Sequence, residues 1–542
     1  MSDILHDDPR DGRQSLNPKN AAMHSAFSPG TESLKLRNGC SAPLDAIPCF
    51  SFSYFRHWLL SLLRAGSRVA AFFAVPLDDE GMPKARDLTV EAVPGPFRIF
   101  AVLADEQSGF LHIASTEAED RYPSLTLAAP ELHLFEREIH EKFGIVPDNH
   151  PWLKPVRFEK ISGPEVGNME FFRVNGDEVH EVAVGPIHAG VIECGHFRFQ
   201  CLGEEVLHLE VSLGYHHRGI ERQIINGPFT NTLPLMEVLA GDSTIAHSWA
   251  YCSLLESLAD LPVSPRGQIV RSIALELERL ANHTGDLGAI AGDVGFLSTL
   301  SYCGRLRGDW LNMSAMLCGS RFGRRLLTPG GVCFDVEKRL ADDLNLKLRQ
   351  TGRDVQGALA LMWHSPSVMA RLTGIGILPK KTAQELGVVG VAARASGLER
   401  DVRHSHPLSG VPQPPPLVVA AQGDVRARAY VRHQEVTVST AFCRRLLENV
   451  FDSDDDGEGF LIHNQTPELK PEHIAVAMVE GWRGELCHVG LTDAKGRFSA
   501  YSVVDPSFHN WYGLAVALRG QQISDFPLCN KSFNLSYCGH DL

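Results

Sequence analysis

The chain has 542 residues, of which 44% are hydrophobic and 21% charged, and a formal net charge of -14. That length exceeds one hydrophobic core and that composition excludes wholesale disorder. An acidic chain without dense Lys and Arg stripes is not a nonspecific nucleic-acid binder, because neutralising phosphates demands such stripes.

Residues 1 to 44, which begin MSDILHDDPRDGRQ, are polar, interrupted by Pro and Gly, and read as a disordered tail without the apolar core of a secretory signal. A unit from 45 to 165 follows. FRHWLLSLLRAG predicts an amphipathic helix, RVAAFFAVPL and FRIFAVLAD predict strands, and PELHLFEREIHEKFGI predicts another helix. From 166 to 542 the chain reads as one larger unit. FFRVNGDEVHEVAVGP and GHFRFQCLGEEVLHLEVSLGY alternate like strands, with GEE at a hairpin turn. Helical periodicity then dominates from about 230 to 400. In SPRGQIVRSIALELERLANHTGDLGAI it sets Ile269, Ile273, Leu277 and Leu280 on one face. HPLSGVPQPPPLVV cannot continue a helix and predicts an exposed connection. A further helical stretch, the sheet-like VAMVEGWRGELCHVGLTDAKGRFSAYSVVD and a short end close the chain.

The fold class is therefore α+β: a small α+β domain joined to a large, mainly helical domain with a small antiparallel sheet. No apolar run reaches the roughly eighteen residues that span a bilayer. Twelve cysteines are scattered singly without a CxxC pair, so zinc knuckles, iron-sulfur clusters and thioredoxin motifs are not expected.

Particular strings carry the reading further. FEREIHEKFGIVPDNHPWLKPVRF, residues 135 to 158, resembles the signature of the small peripheral-arm subunit of respiratory complex I, which is fused to the large subunit in some energy-converting nickel-iron hydrogenases. GPIHAGVIECGHFRF and LGYHHRGIER resemble the start of the large subunit of those hydrogenases and of its complex I counterpart beside the quinone pocket. LELERLANHTGDLGAIAGDVGF, GSRFGRRLLTPGGV, GDVRARAYVR and ISDFPLCNKSFNLSYCGHDL continue the match in family order, with most likeness to the formate-hydrogenlyase type of group 4 hydrogenases.

The resemblance implies two pairs of cysteine thiolates for a nickel-iron centre, since soft anionic sulfur is what holds both metals. Setting AHSWAYC and SFNLSYCGHDL against the family motifs puts Ala240, Ser243, Ser536 and Gly539 at those four positions, so no metal ligand is expected here. The quinone-reducing branch would place a tyrosine at Gly241 and a histidine near Cys194, and both are missing.

Other pocket residues remain, each with two readings. Glu193 matches the proton-relaying glutamate of the hydrogenases, or is a carboxylate that pins its loop. Arg483 in GWRGE matches the arginine over the bimetallic site, or forms an ion pair inside the fold. His188 is a proton carrier or a structural loop histidine. Asp242 and Ser243 would cap the following helix, and Asp242 could instead join a proton path with His247 or Glu193. His216 and His217, adjacent on a strand, would point to opposite faces, and with His509, Asn510 and Trp511 they read as structural or interfacial. Cys538 and His540 are either part of another site or members of a frayed terminus.

Together these strings imply a large peripheral subunit of a membrane-bound, energy-converting oxidoreductase complex, on the cytoplasmic side of the membrane. It would lie against a small iron-sulfur subunit, with antiporter-like and other integral membrane subunits, and would couple electron transfer to ion translocation. A subunit that reduces a quinone or another small acceptor, and a non-catalytic scaffold, are the alternatives.

Overall fold

The computed structural model describes residues 33–85, 95–159, 165–190, 192–451 and 466–542. Residues 1–32 of the expected tail lie outside the described residues. The remainder of that tail is not disordered. β1 (Leu34–Leu36) and β2 (Cys40–Pro43) form there, because Leu36 and Ala42 find buried places in two different sheets.

β3 (Cys49–Phe50) leads into α1 (Phe52–Arg64), and β4 (Arg68–Pro76), β5 (Phe97–Asp105) and β6 (Phe110–Ala118) follow. The first sheet runs β1-β6-β5-β4, with β3 parallel to β6. On α1, Phe55, Trp58, Leu59 and Leu62 recur three and four residues apart and are buried against it. β7 (Arg121–Pro123) and β8 (Val146–Asp148) pair in parallel on either side of α2 (His133–Phe143). β9 (Val179–Val184), β10 (His196–Leu202) and β11 (Glu205–Ser212) make a second antiparallel sheet, with the expected turn at Gly203 and Glu204.

Two short helices, α3 (Ile220–Ile224) and α4 (Thr232–Met236), precede α5 (Thr244–Leu258), α6 (Pro265–Asp293) and α7 (Leu297–Cys318). A ribbon of β12 (Leu327–Thr328) and β13 (Gly331–Val332) leads to α8 (Lys338–Trp363). The short helices α9 (Pro366–Leu372), α10 (Lys380–Glu385), α11 (Gly390–Ala395) and α12 (Val402–Ser405) come next, and then α13 (Val425–Asn449). Among the described residues no helix is long and apolar enough to cross a membrane. The proline segment is not a fully exposed connection: Pro415 is buried and its carbonyl accepts from His404 Nε2 at 3.0 Å.

β14 (His473–Glu480), β15 (Glu485–Thr492) and β16 (Phe498–Val504) build the sheet that organises the molecule, in the order β16-β15-β14-β2. Side chains alternate across it. Ile474, Val476, Met478, Cys487 and Val489 join the core of the first sheet, while Ala475, Ala477, Tyr501 and Val503 face α5. α5 lies between this sheet and the helical core, so of its fifteen residues only Ser257 is not buried. The chain then closes with α14 (Pro506–Ala517), α15 (Phe526–Phe533) and α16 (Tyr537–Asp541).

Ion pairs hold these layers where water is excluded. Arg68 on β4 forms two hydrogen bonds with Glu485 on β15, both residues being 2% exposed, and also donates to Glu106 at 2.7 Å. Arg394 on α11 bonds Glu480 at 2.6 Å and Glu435 on α13 at 2.8 Å. Such pairs hold relative position more than they add net stability, because desolvation offsets the Coulomb attraction.

Replacing Glu485 by Ala leaves the Arg68 guanidinium buried against its surroundings and is expected to destabilise the fold by about 3–5 kcal/mol in urea unfolding, whereas exchanging both partners for apolar residues should restore most of the loss. Equal losses in the single and double variants would contradict this.

Candidate functional site

Four segments converge: the loop Leu239–Ser243 before α5, the β14–β15 turn Gly481–Gly484, the stretch Asn534–Gly539 entering α16, and the loop Ile192–Gly195 before β10. The turn is tight, with Gly481 N–H donating to Gly484 O at 2.8 Å and Gly484 N–H returning to Gly481 O at 3.1 Å. It lies so close to α11 that a Cβ on Gly484 would stand 2.8 Å from the Gly390 Cα. The turn presents Trp482 and Arg483 to the loop.

Arg483 meets Asp242 in a two-pronged pair, Nη1 to Oδ1 at 2.6 Å and Nη2 to Oδ2 at 2.8 Å. Its Nε donates to Asn534 O at 2.6 Å, and its guanidinium carbon lies 3.9 Å from the Trp482 ring centroid. Burial opposes the charge, but Asp242, with Asp505 and Asp286 nearby, outweighs it and raises the Arg483 pKa above the ordinary arginine value. The Asp242 backbone is fixed as well: its carbonyl accepts from Trp482 Nε1 at 2.8 Å and Asn282 Nδ2 at 2.9 Å.

Neither Asp242 nor Ser243 caps α5, contrary to the local expectation. Ser243 is the N-cap residue, but its side chain makes no capping bond, and the Asp242 carboxylate is held by Arg483. Glu278, reaching across from α6, accepts from Ile245 N–H at 2.7 Å and supplies the capping acceptor instead. Burial, opposed by the Ile245 hydrogen bond and reinforced by Asp242, pushes the Glu278 carboxyl up to about 8.

At the other side, Ser536 Oγ accepts from Gly539 N–H at 2.9 Å and lies 3.4 Å from Cys538 Sγ. The Cys538 thiol is pushed up to about 11 by burial and then by Glu193. A Cβ on Gly539 would meet Asp505 Oδ2 at 2.6 Å. Ala240 is fully buried, and Ser243 Oγ is 3.5 Å from Arg483 Nη1. Gly241 differs: a Cβ there would meet nothing within 4 Å.

Glu193 is exposed, and its Oε2 accepts from Tyr537 N–H at 3.2 Å, tying the Ile192–Gly195 loop to α16. His188 turns to its own loop, with Nε2 donating to Gly195 O at 2.8 Å. Asp242 and Arg483 are thus brought together, while Glu193 and His188 serve the neighbouring loop.

The terminal stretch is not frayed. Arg218 N–H and Gly219 N–H donate to Leu542 O at 2.8 and 3.1 Å, and Asp541 accepts from Gly214 N–H at 2.8 Å and His216 N–H at 2.9 Å. His216 and His217 lie in a turn after β11, not on a strand, because they bind this stretch: His217 Nδ1 is 2.7 Å from Asp541 O. His540 pairs with Asp541 at 2.9 Å and does not join Cys538 in a shared site. His509, Asn510 and Trp511 are buried on α14, and Asn510 bonds both N–H and carbonyl of Val389, at 3.0 and 3.1 Å.

Several residues of the site escape local sequence reasoning. Asp286 accepts from Arg432 Nε at 2.9 Å and Asn534 Nδ2 at 2.5 Å, bracing the Asn534 backbone that Arg483 uses. Asp505 caps α14 through Ser507 N–H at 2.8 Å and lies 3.2 Å from His247 Nε2. The available signal for Asp505 was Asp before Pro at a helix start, and for Glu278 an acidic residue on the apolar-striped α6.

The family model described as "Respiratory-chain NADH dehydrogenase, 49 Kd subunit" matches residues 293–541, and that of the 30 Kd subunit matches residues 79–160. Formate hydrogenlyase subunit 5 of Escherichia coli (strain K12) is 29% identical over 470 residues, covering 82% of this chain and 81% of that protein. The carbon monoxide-induced hydrogenase of Rhodospirillum rubrum is 31% identical over 360 residues, 66% of this chain and 97% of that protein. A chain of the membrane-bound sulfane sulfur reductase, an archaeal respiratory membrane complex, shares the fold with a TM-score of 0.61 at 22% identity, over 67% of this chain and 99% of its own.

The Glu278 environment makes stability depend on pH. The folded carboxyl holds its proton up to about 8 against an ordinary 4.5, so its contribution is complete below 4.5 and is lost as pH rises through about 8. Glu278→Gln, which keeps an acceptor for Ile245, should therefore gain melting temperature relative to the parent between about pH 5 and about pH 8. A difference that stays flat across that window would refute the assignment.

Proposed function

The chain belongs to the family that unites the 30 and 49 Kd-type subunits of respiratory NADH dehydrogenase with the large subunits of group 4 membrane-bound hydrogenases, and from this premise we propose that it is the large peripheral subunit of a membrane-bound, energy-converting oxidoreductase complex that works without a nickel-iron centre. In this reading it docks against a small iron-sulfur subunit and membrane-embedded, antiporter-like subunits on the cytoplasmic side. Electron transfer near the pocket changes local charge, and that change drives ion movement in the partners.

The observation that carries the metal-free reading is the donor set at the four family thiolate positions. Ala240 and Gly539 have no ligand atom, Ser536 Oγ is engaged by Gly539 N–H, and Ser243 Oγ faces the Arg483 cation. A serine hydroxyl is a poor substitute for thiolate at neutral pH. Asp505 Oδ2 stands 2.6 Å from the place where a side chain at 539 would begin, so a cysteine there cannot be added without moving that carboxylate. These residues do not fit a bimetallic centre held by sulfur.

What the site offers is a fixed arginine on a partly exposed aspartate, beside a neutral carboxyl. An anion or reduced acceptor arriving next to Arg483 would compete with Asp242 for the guanidinium, which is how charge at the pocket could be felt by the loop before α5. The open space in front of Gly241 favours a second reading, in which a quinone or another small acceptor is reduced there.

The test is purification of the intact complex through the full chain, with metal content, hydrogen turnover and acceptor-dependent electron flow measured together. The expected result is no stoichiometric nickel and no hydrogen turnover, with Arg483→Gln lowering electron flow by at least about tenfold while the subunits remain assembled. Stoichiometric nickel with hydrogen turnover would overturn the metal-free reading. Unchanged flow in Arg483→Gln, with loss of assembly when the chain is deleted, would make it a scaffold.

A further inference from the structure

Behind the site, four side chains from four elements form one buried file. Asp505 Oδ2 lies 3.2 Å from His247 Nε2, His247 Nδ1 lies 3.1 Å from His488 Nε2, and His488 Nδ1 lies 2.8 Å from Tyr501 Oη. Asp505, His247 and His488 are no more than 1% exposed, and Tyr501 is 6% exposed. The Asp505 end adjoins the site at Gly539 and Arg483. The Tyr501 residue also borders a cleft of about 80 Å³, whose wall includes Glu138, Lys142, Glu159 and Glu221.

Hydrogen counting leaves this file two complete arrangements. An ionised carboxylate only accepts, so His247 carries a proton on Nε2. In the first arrangement His247 Nδ1 accepts from His488 Nε2–H, and His488 Nδ1 accepts from the Tyr501 hydroxyl. In the second, His247 is protonated on both nitrogens and donates Nδ1–H to His488 Nε2, and His488 donates Nδ1–H to the Tyr501 oxygen. The three bonds of the file are kept in both, and in the second the Tyr501 hydroxyl hydrogen turns away from His488. The second holds one proton more.

Moving between them needs only hops along existing bonds. A proton reaching the Tyr501 oxygen replaces the hydroxyl proton, which passes to His488 Nδ1. The His488 Nε2 proton passes to His247 Nδ1, and the added charge comes to rest beside Asp505. Protonating a buried imidazole ordinarily strands a ring nitrogen, whereas here every ring nitrogen keeps its partner in both arrangements and the cost moves to the Tyr501 hydroxyl hydrogen.

We propose that Asp505, His247, His488 and Tyr501 form a proton-binding file that takes one proton at its Tyr501 end and holds it as charge on His247, directly behind the candidate site. Other groups facing it are Arg483 and His509 at the Asp505 end, and Tyr251, Cys252, Cys487 and Glu221 around Tyr501. None of these interrupts the three bonds of the file. Use of the held proton in coupling rests on the proposed function; the file itself does not, and its test reads the rings alone.

The experiment is ¹⁵N NMR of the full chain labelled at histidine and titrated from about pH 5 to about pH 9, a range that spans ordinary histidine ionisation. The two rings are assigned by the coupling transmitted across their shared hydrogen bond, which requires no variant. On acidification, His488 should switch from the Nε2–H to the Nδ1–H tautomer in the same step in which His247 becomes doubly protonated. A single His488 tautomer throughout, or separate steps for the two rings, overturns the proposal. Tyr501→Phe should slow proton exchange at His488 at least tenfold; unchanged exchange there overturns entry through Tyr501.

Discussion

The two-pronged pair of Arg483 on Asp242 is the constraint on which the rest of the site depends. It joins a hairpin turn of the central sheet to the loop before α5, and through Asn534 it reaches the stretch entering α16. Coulomb attraction in a poorly hydrated corner gives the pair strength, and its two parallel bonds give it direction. Three segments far apart in the chain are thereby fixed relative to one another. Asp242 is partly exposed, at 35% of its side chain, so the same pair remains within reach of a molecule arriving from outside.

Once Asp242 is committed to Arg483, the start of α5 needs another acceptor, and Glu278 takes that place from α6. The cost is a carboxyl pressed toward neutrality by burial and by Asp242 beside it. Asp242 thus adds to a shift that burial dominates. The central sheet is the frame for all of this, with the core of the first sheet on one face and α5 on the other.

The elements with strong local periodicity were readable in the residues. α6 begins at the Ser264 cap and buries Ile273, Leu277 and Leu280, and the GEE turn joins β10 to β11. Arg483 and Asp242 are both candidates in the sequence, but their pairing is not legible there, since 241 positions separate them and nothing local encodes their meeting. Helix-cap rules failed at α5 because a distant arginine competes for the capping side chain. Local sequence leaves the polar residues at the end either as part of another site or free to fray, yet partners near residues 214 to 219 hold them in place. His488 and Tyr501 sit in strands whose alternation marks them only as inward-facing, and their use of each other appears only when β15 and β16 pair over α5.

The burial of α16 has a consequence for the order of events in folding. Its anchors lie more than 300 residues earlier in the chain, so the contact between Asp541 and the turn at Gly214 closes a long loop and is among the least local in the molecule. The stretch rests on α14, where Trp511 and Phe508 meet Tyr537 and His540. Only with that closure do Ser536, Gly539 and the anchor for Glu193 reach the site. A chain halted before that step could hold its sheets and helices and still lack one wall of its pocket, so completion of the site is itself a report that the whole chain has folded.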